Sequence, residues 1–306
     1  MKPKPRSFQM VWFKRIGLFL LTNLLVIATI SITANVIFGV LGVRMPVGMQ
    51  GLLVMCTIMG FSGALVSLMM SKFMAKHFYG VQIIDPDTRD PEMRGLLEMV
   101  HSLARRAGLQ KMPEVGIYEA PEINAFATGP SKNNALVALS TGLFRSMSRE
   151  EVEGVIGHEI SHVANGDMVT MTLIQGIVNT FVLFLSRVLA SVIAGGNSDD
   201  RRGGNPIAQF FLTIIFDILF TILANIVVNY FSRRREFRAD AGGARLAGRE
   251  KMIAGLRKLQ MQFDQIEPDT GSAATLKISN RASGFRAIFS THPPLEERIR
   301  RLERGV

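Results

Sequence analysis

Long uncharged apolar blocks alternate along this chain with amphipathic and polar stretches, and the blocks set its plan. Residues 16–43 carry no charged side chain. As a helix they would reach about 42 Å, ample for a bilayer crossing. Residues 47–71 form a second uncharged block ending at Lys72 and Lys76, with a tight turn at 44–46 between the two. Residues 168–194 carry no charge except Arg187, and residues 206–232 none except Asp217. Between these last two lies the Gly- and Asn-rich stretch 195–205 with Asp199, Asp200, Arg201 and Arg202. The blocks therefore pair as two membrane hairpins, of which the second either crosses the bilayer or dips into it. In an antiparallel hairpin Arg187 and Asp217 lie at depths a long arginine nearly spans, so a structural ion pair is expected ahead of a functional gate.

Between the blocks the periodicity changes. Residues 91–109 place Leu96, Val100, Leu103 and Ala107 on one helical face. Residues 113–119 read as a strand, and 124–129 with 135–140 as a β-hairpin around a turn at 130–134. Val152, Val155, Ile156, Ile160 and Val163 recur at helical spacing through 150–167. After Arg233–Arg235 (three consecutive arginines), residues 236–249 read as a helix despite Gly242 and Gly243, and 246–263 continue helical. Residues 266–284 are polar and rich in small side chains, hence a loop. The last helix is 295–303, preceded by Ser-Thr-His-Pro-Pro at 290–294.

Charge refines this plan. The formal net charge is +10, but the basic residues gather beside the apolar blocks: Lys2, Lys4, Arg6, Lys14 and Arg15 before the first, Lys72 and Lys76 after the second, and only Arg44 between. By the positive-inside rule the N-terminus and everything after Lys72 belong in the cytoplasm. No basic face is interleaved with aromatics, so anionic lipid rather than nucleic acid is the expected partner. The first block is too long for a cleaved signal peptide and has no small-residue cleavage site. The single cysteine, Cys56, excludes an intramolecular disulfide.

The chemistry concentrates in His158-Glu159-Ile160-Ser161-His162. Histidines four apart on a helix project from one face and can share one Zn²⁺, with Glu159 within reach of a water on the open position. Zinc lowers the pKa of that water, and Glu159 would take its proton during attack on a peptide carbonyl. A third ligand is needed. The HExxHxxGxxH pattern would put Gly at 165 and His at 168, where this chain has Asn165 and Met168. Asp167 follows too closely on the same helix. Glu236 is the best candidate, returned beside the histidines by the inserted membrane hairpin. Asp240, four residues on, shares its face and is placed to accept a hydrogen bond from the far nitrogen of a ligand histidine. His292 either caps the last helix, donates to an oxyanion or approaches the metal at rest, with Arg298 as a second oxyanion candidate. His101 reads as a surface or packing residue and His77 as interfacial. The hairpin strand near the metal helix either holds an extended peptide by main-chain bonds or is part of a small core sheet. A silent adaptor with structural zinc would have no use for Glu159.

Four segments, HEISHVANGD, the later EFRAD, NAFATG and STHPPLEERI, together resemble the HtpX-type membrane zinc metalloproteases, which are related to the CAAX prenyl proteases. The likeness runs over essentially the whole chain. It implies a mostly α protein with a small β-sheet, a four-helix transmembrane region and a cytoplasmic HExxH gluzincin-like zinc peptidase domain. Residues 1–76 and 168–232 would be the membrane hairpins, and 77–167 with 233–306 the two parts of the peptidase. The same pattern makes His158, His162 and Glu236 ligands of one zinc per chain, Glu159 the general base, Asp240 a support, and Asn124, Ala125 and Phe126 the substrate-binding strand. It implies a multi-pass protein of the bacterial inner membrane that cleaves misfolded membrane proteins and unfolded polypeptides in stress-linked quality control. A CAAX-type processing enzyme would be expected to need more than four membrane helices.

Overall fold

The computed structural model describes residues 49–195, 205–266 and 292–305. The apolar block 16–43 and the basic stretch before it, the turn at 44–46 and most of 195–205 and 266–284 lie outside the described residues. The protein is mostly helical with one small mixed sheet. In chain order the described elements are α1 (Met49–Phe78), β1 (Gln82–Ile83), α2 (Pro91–Arg106), β2 (Glu114–Tyr118), β3 (Ala125–Ser131), β4 (Asn134–Ser140), α3 (Thr141–Ser146), α4 (Arg149–Asn165), α5 (Asp167–Gly195), α6 (Pro206–Ala247), α7 (Arg249–Ile266) and α8 (Leu295–Arg304).

Three of these helices, α1, α5 and α6, are long and apolar enough to cross a membrane. The chain divides into two compact units, Met1–Val66 with Gln175–Thr221 and Ser67–Ile174 with Ile222–Val306. Within the first, α1 and α5 approach through glycines. A Cβ on Gly60 would lie 2.7 Å from Thr180 N, and one on Gly176 2.6 Å from the Phe61 ring. Close backbone approach at small residues is how membrane helices pack without a hydrophobic driving force. The expected Arg187–Asp217 ion pair is not formed. Arg187 Nη1 donates to its own helix at Leu183 O, 2.9 Å away, and Asp217 Oδ1 is buried without a hydrogen-bond partner.

The second unit is built around a four-stranded sheet in the order β1-β2-β4-β3. β4 runs parallel to β2 and antiparallel to β3. Being central, β4 is buried on both faces: Leu136 and Ala138 pack with Ala75, Val81 and Tyr118, while Val137 and Leu139 join the main core with α2 and α4. The hairpin turn is tighter than the sequence suggests. β3 runs to Ser131 and β4 begins at Asn134. A register shift between Thr128 and Ser131 absorbs Gly129 and Pro130 within the edge strand, where a proline costs no ladder bond.

The metal-motif helix is locally specified at both ends. Ser148 caps α4 and forms a reciprocal capping box with Glu151. Gly166, at φ 71°, ends it in a left-handed turn. Asp167 therefore does not extend this helix but begins α5. Arg233–Arg235 likewise mark no break: α6 is one helix of 42 residues, about 63 Å by its rise, so the apolar stretch and the segment carrying Glu236 and Asp240 are continuous.

Glycines let α4, α6 and α7 converge. A Cβ on Gly154 would lie 2.3 Å from Lys251 O, one on Gly242 2.5 Å from Ser161 Oγ, and one on Gly243 2.9 Å from His158 N. That explains two adjacent glycines inside α6: they face α4 at the height of its histidines. Gly243→Ala gains up to about 1 kcal/mol of helix propensity but meets backbone, where overpacking costs about 1–3 kcal/mol. It should lower the melting temperature. Gly95→Ala in α2, whose Cβ meets nothing within 4 Å, should raise it. Thermal unfolding of both variants checks the pair.

Candidate active site

Two elements bring the three candidate ligands together. His158 and His162 stand one turn apart on α4, and Glu236 comes from α6; one ligand atom from each lies within 4.8 Å of the others. The two Nε2 atoms are 3.0 Å apart. His158 Nε2 is 3.5 Å from Glu236 Oε2, and His162 Nε2 is 3.3 Å from Glu236 Oε1. All three residues are buried.

Each imidazole is held from behind by a different carboxylate. His158 Nδ1 lies 2.9 Å from Asp240 Oδ1, and His162 Nδ1 lies 2.7 Å from Asp167 Oδ2. A carboxylate only accepts, so each Nδ1–H donates, and each Nε2 faces Glu236, as a donor when the ring is protonated and as a lone pair when it is neutral. Asp240 is in turn gripped by Arg298 of α8, through Nε at 2.8 Å and Nη2 at 2.6 Å. Arg298 Nη1 is 3.7 Å from Glu236 Oε2. Its guanidinium thus faces Asp240 and Glu236, away from the oxyanion role the sequence allowed it, because α8 presents it to the buried acids. His292 Nδ1 stands 3.0 Å from Glu236 Oε2 with its side chain 61% exposed.

Electrostatically the cluster asks for a cation. Burial alone would push the His162 imidazolium down from 6.5, but Asp167 and Glu236 outweigh it and raise the pKa to about 9. His158 moves the same way, burial being overcome by Asp240 and Glu236. Burial would raise Glu236, yet hydrogen bonds from His158, His162 and His292 hold it far below the carboxylate range. Asp240 is likewise lowered, with Arg298 and His158 overriding its burial. Two imidazole nitrogens and a carboxylate converging on one point, with ring protons that a metal would displace, are a donor set that suits a divalent metal.

Glu159, on the same helix, points toward the sheet. Its Oε2 accepts from Ala127 N at 2.9 Å, a donor on the unpaired edge of β3. Asn124, Ala125 and Phe126 lie at the start of that edge. Asn124 is tied to Ser140, its N–H to the hydroxyl and its carbonyl to the backbone N–H. The Phe126 ring packs on Tyr118 and Tyr79. His101 is away from this cluster, with Nε2 3.1 Å from Pro113 O, and His77 stacks on Phe73. Sequence reasoning missed Asp167 as a partner of His162, although the Gly-Asp pair after the helix was its signal. It also missed Arg298 as the partner of Asp240.

Residues 91–306 match Peptidase family M48. The chain is 52% identical over 299 residues to a protein named Protease HtpX homolog from Bacillus pumilus (strain SAFR-032), covering 95% of this chain and 99% of that one. It is 50% identical over 287 residues to Protease HtpX of Xanthomonas axonopodis pv. citri (strain 306), covering 94% and 96% respectively. In fold it is similar to the crystal structure of S. mikatae Ste24p, with a TM-score of 0.63 at 18% identity. That likeness takes in 97% of this chain but only 66% of the longer Ste24p chain. A metal-ready His-His-Glu cluster, three helices fit for a membrane and these relatives agree: the chain belongs to peptidase family M48, as a membrane metalloprotease of the HtpX type.

Proposed function

We propose that this protein is a zinc endopeptidase of the bacterial inner membrane that cleaves misfolded or damaged membrane proteins on the cytoplasmic side. The observation that carries the chemistry is the convergence of His158, His162 and Glu236 within 4.8 Å beside a carboxylate, Glu159, held on the free strand edge. In this reading those three residues hold one zinc. Bound there, zinc supplies a Lewis acid that acidifies a water and polarises the scissile carbonyl.

The other steps belong to the chain's own residues. Glu159 takes the proton from the attacking water and returns it to the leaving nitrogen. Asp240, gripped by Arg298, keeps His158 in the tautomer that leaves Nε2 free. The edge of β3, entered at Asn124, Ala125 and Phe126, pairs with the main chain of an extended substrate. Only an unfolded stretch can offer such a strand, which supports unfolded polypeptides and exposed membrane-protein loops as substrates. His292, the exposed histidine at the rim, donates to the developing oxyanion. Residues 1–76 and 168–232 act as membrane hairpins, making four spans, while 77–167 and 233–306 form the peptidase. Cytoplasmic placement rests on the basic flanks, and the stress-linked quality-control role rests on likeness to the HtpX type.

Glu159→Gln should keep zinc and lose activity by roughly 10²- to 10⁴-fold in kcat. Zinc content and cleavage of an unfolded substrate, followed together on detergent-purified protein, check this. Equal zinc with no cleavage by either form would instead favour a metal-holding adaptor.

The two raised imidazoles give opposite pH trends for two measurements. Protons compete with zinc at His158 and His162, so zinc affinity should climb from about pH 6 to about pH 9. In the zinc-free protein the sign reverses. A histidine raised to about 9 when folded stabilises the fold fully below its ordinary 6.5, and that contribution is lost as pH rises through about 9. Chelator-competition titrations and zinc-free melting curves across this window test both arms.

A further inference from the structure

Among the described residues, Asp167 is the one carboxylate against a candidate ligand to which the reaction above gives no part. It is 2% exposed, and its Oδ2 lies 2.7 Å from His162 Nδ1. It is also the first residue of α5, a helix long and apolar enough to cross a membrane. Only Gly166 separates it from α4. At φ 71° and ψ 32°, with its N–H turned back to His162 O and Val163 O, Gly166 redirects the chain in a single residue. The first side chain of α5 thereby folds back onto the last turn of α4 and meets the ring of His162.

We infer that Asp167 is a positioning residue for His162, and that the one-glycine joint makes the presentation of this ligand depend on the direction in which α5 leaves α4. This rests on the reading of His158, His162 and Glu236 as zinc ligands. Accepting from Nδ1–H, the carboxylate holds the ring in the tautomer whose Nε2 faces Glu236, stops it rotating and raises its basicity. Gly166 is required because a left-handed turn strains any residue with a Cβ. A tilt at this joint moves the Asp167 carboxylate relative to His162, since no flexible linker intervenes. A membrane helix thus bears directly on one metal ligand. The bland alternative is that Asp167 merely complements the α5 dipole as an acidic first-turn residue. That role would move stability and leave metal binding alone.

The test uses the full chain in lipid nanodiscs: wild type, Asp167→Ala, Asp167→Asn, Gly166→Ala and the Gly166→Ala/Asp167→Ala double variant. Zinc affinity is measured by chelator competition, the ligand field by Co²⁺ absorption, and kcat and KM on an unfolded substrate at saturating zinc. Asp167→Ala should weaken zinc roughly 10- to 100-fold, shift the Co²⁺ bands and lower kcat with little change in KM. Asp167→Asn should weaken zinc less but in the same direction, and it decides the matter if the alanine variant does not fold. Gly166→Ala should also weaken zinc, and the double variant should be no worse than Asp167→Ala alone, because both act through one contact. Zinc affinity within about twofold of wild type in both Asp167 variants, with only a lower melting temperature, overturns the positioning role. Additive losses in the double variant overturn the joint. A wild type that takes up no zinc overturns the ligand reading itself, a separate failure visible before any variant is compared.

Discussion

Four carboxylates, Glu159, Asp167, Glu236 and Asp240, crowd around two imidazoles, and the rest of the structure answers to that crowding. Two like charges about 4 Å apart repel by about 4 kcal/mol at the effective dielectric of a protein surface, and by more where water is excluded. Such a cluster is tolerable only with positive charge inside it. Arg298 supplies one fixed charge, doubly bonded to Asp240. Protons on the raised imidazoles supply another, which a divalent metal would replace. Removing one partner of a buried pair of this kind costs about 3–5 kcal/mol, since the other is left unpaired. Docking of α8 is therefore part of building the cluster: without Arg298, Asp240 would be a buried anion facing Glu236.

The chain's topology follows from the need to bring distant residues to this point. His162 and Glu236 are separated by two helices fit for a membrane, α5 and most of α6. The second does not stop where its apolar stretch ends. It carries on as the element that bears Glu236 and Asp240, so helical periodicity alone puts them on one face. The approach of that face to α4 is set by Gly157, Gly242 and Gly243, whose missing side chains allow backbone contact beside His158 and Ser161. Rigid placement of this kind suits a site whose donor atoms must converge to within a few tenths of an ångström.

Much of this was legible in the sequence, and the failures have physical causes. The i, i+4 histidines announce themselves because helix geometry fixes their relation. Glu236 and Asp240 could be found because their spacing is also helical. Asp167 escaped because it meets His162 across a change of helix, where periodicity says nothing and the left-handed glycine decides. Arg298 was noticed only as an oxyanion candidate, since its contact with Asp240, 58 residues away, leaves no periodic trace. The Arg187–Asp217 pair failed for the converse reason: opposite charges in neighbouring spans invite pairing, yet Arg187 bonds a carbonyl of its own helix instead. In the hairpin, Pro130 and Ser131 looked like part of the turn, yet an edge strand can carry them past a bulge.

The position of Glu159 bears on what the proposed enzyme can accept. Its carboxylate already holds the Ala127 N–H, a main-chain donor on the only edge of β3 not paired with β4. An extended peptide laid on that edge would share its hydrogen-bonding row with Glu159, so in the proposed reading strand pairing and base placement occur along one line. A folded region of a target has its backbone groups already satisfied and gains nothing by approaching that row. A disordered or membrane-extracted stretch has them free. The selectivity argued for this protease thus needs no pocket for a particular side chain. It would follow from a strand edge that reads backbone alone and from the proposed base fixed beside it.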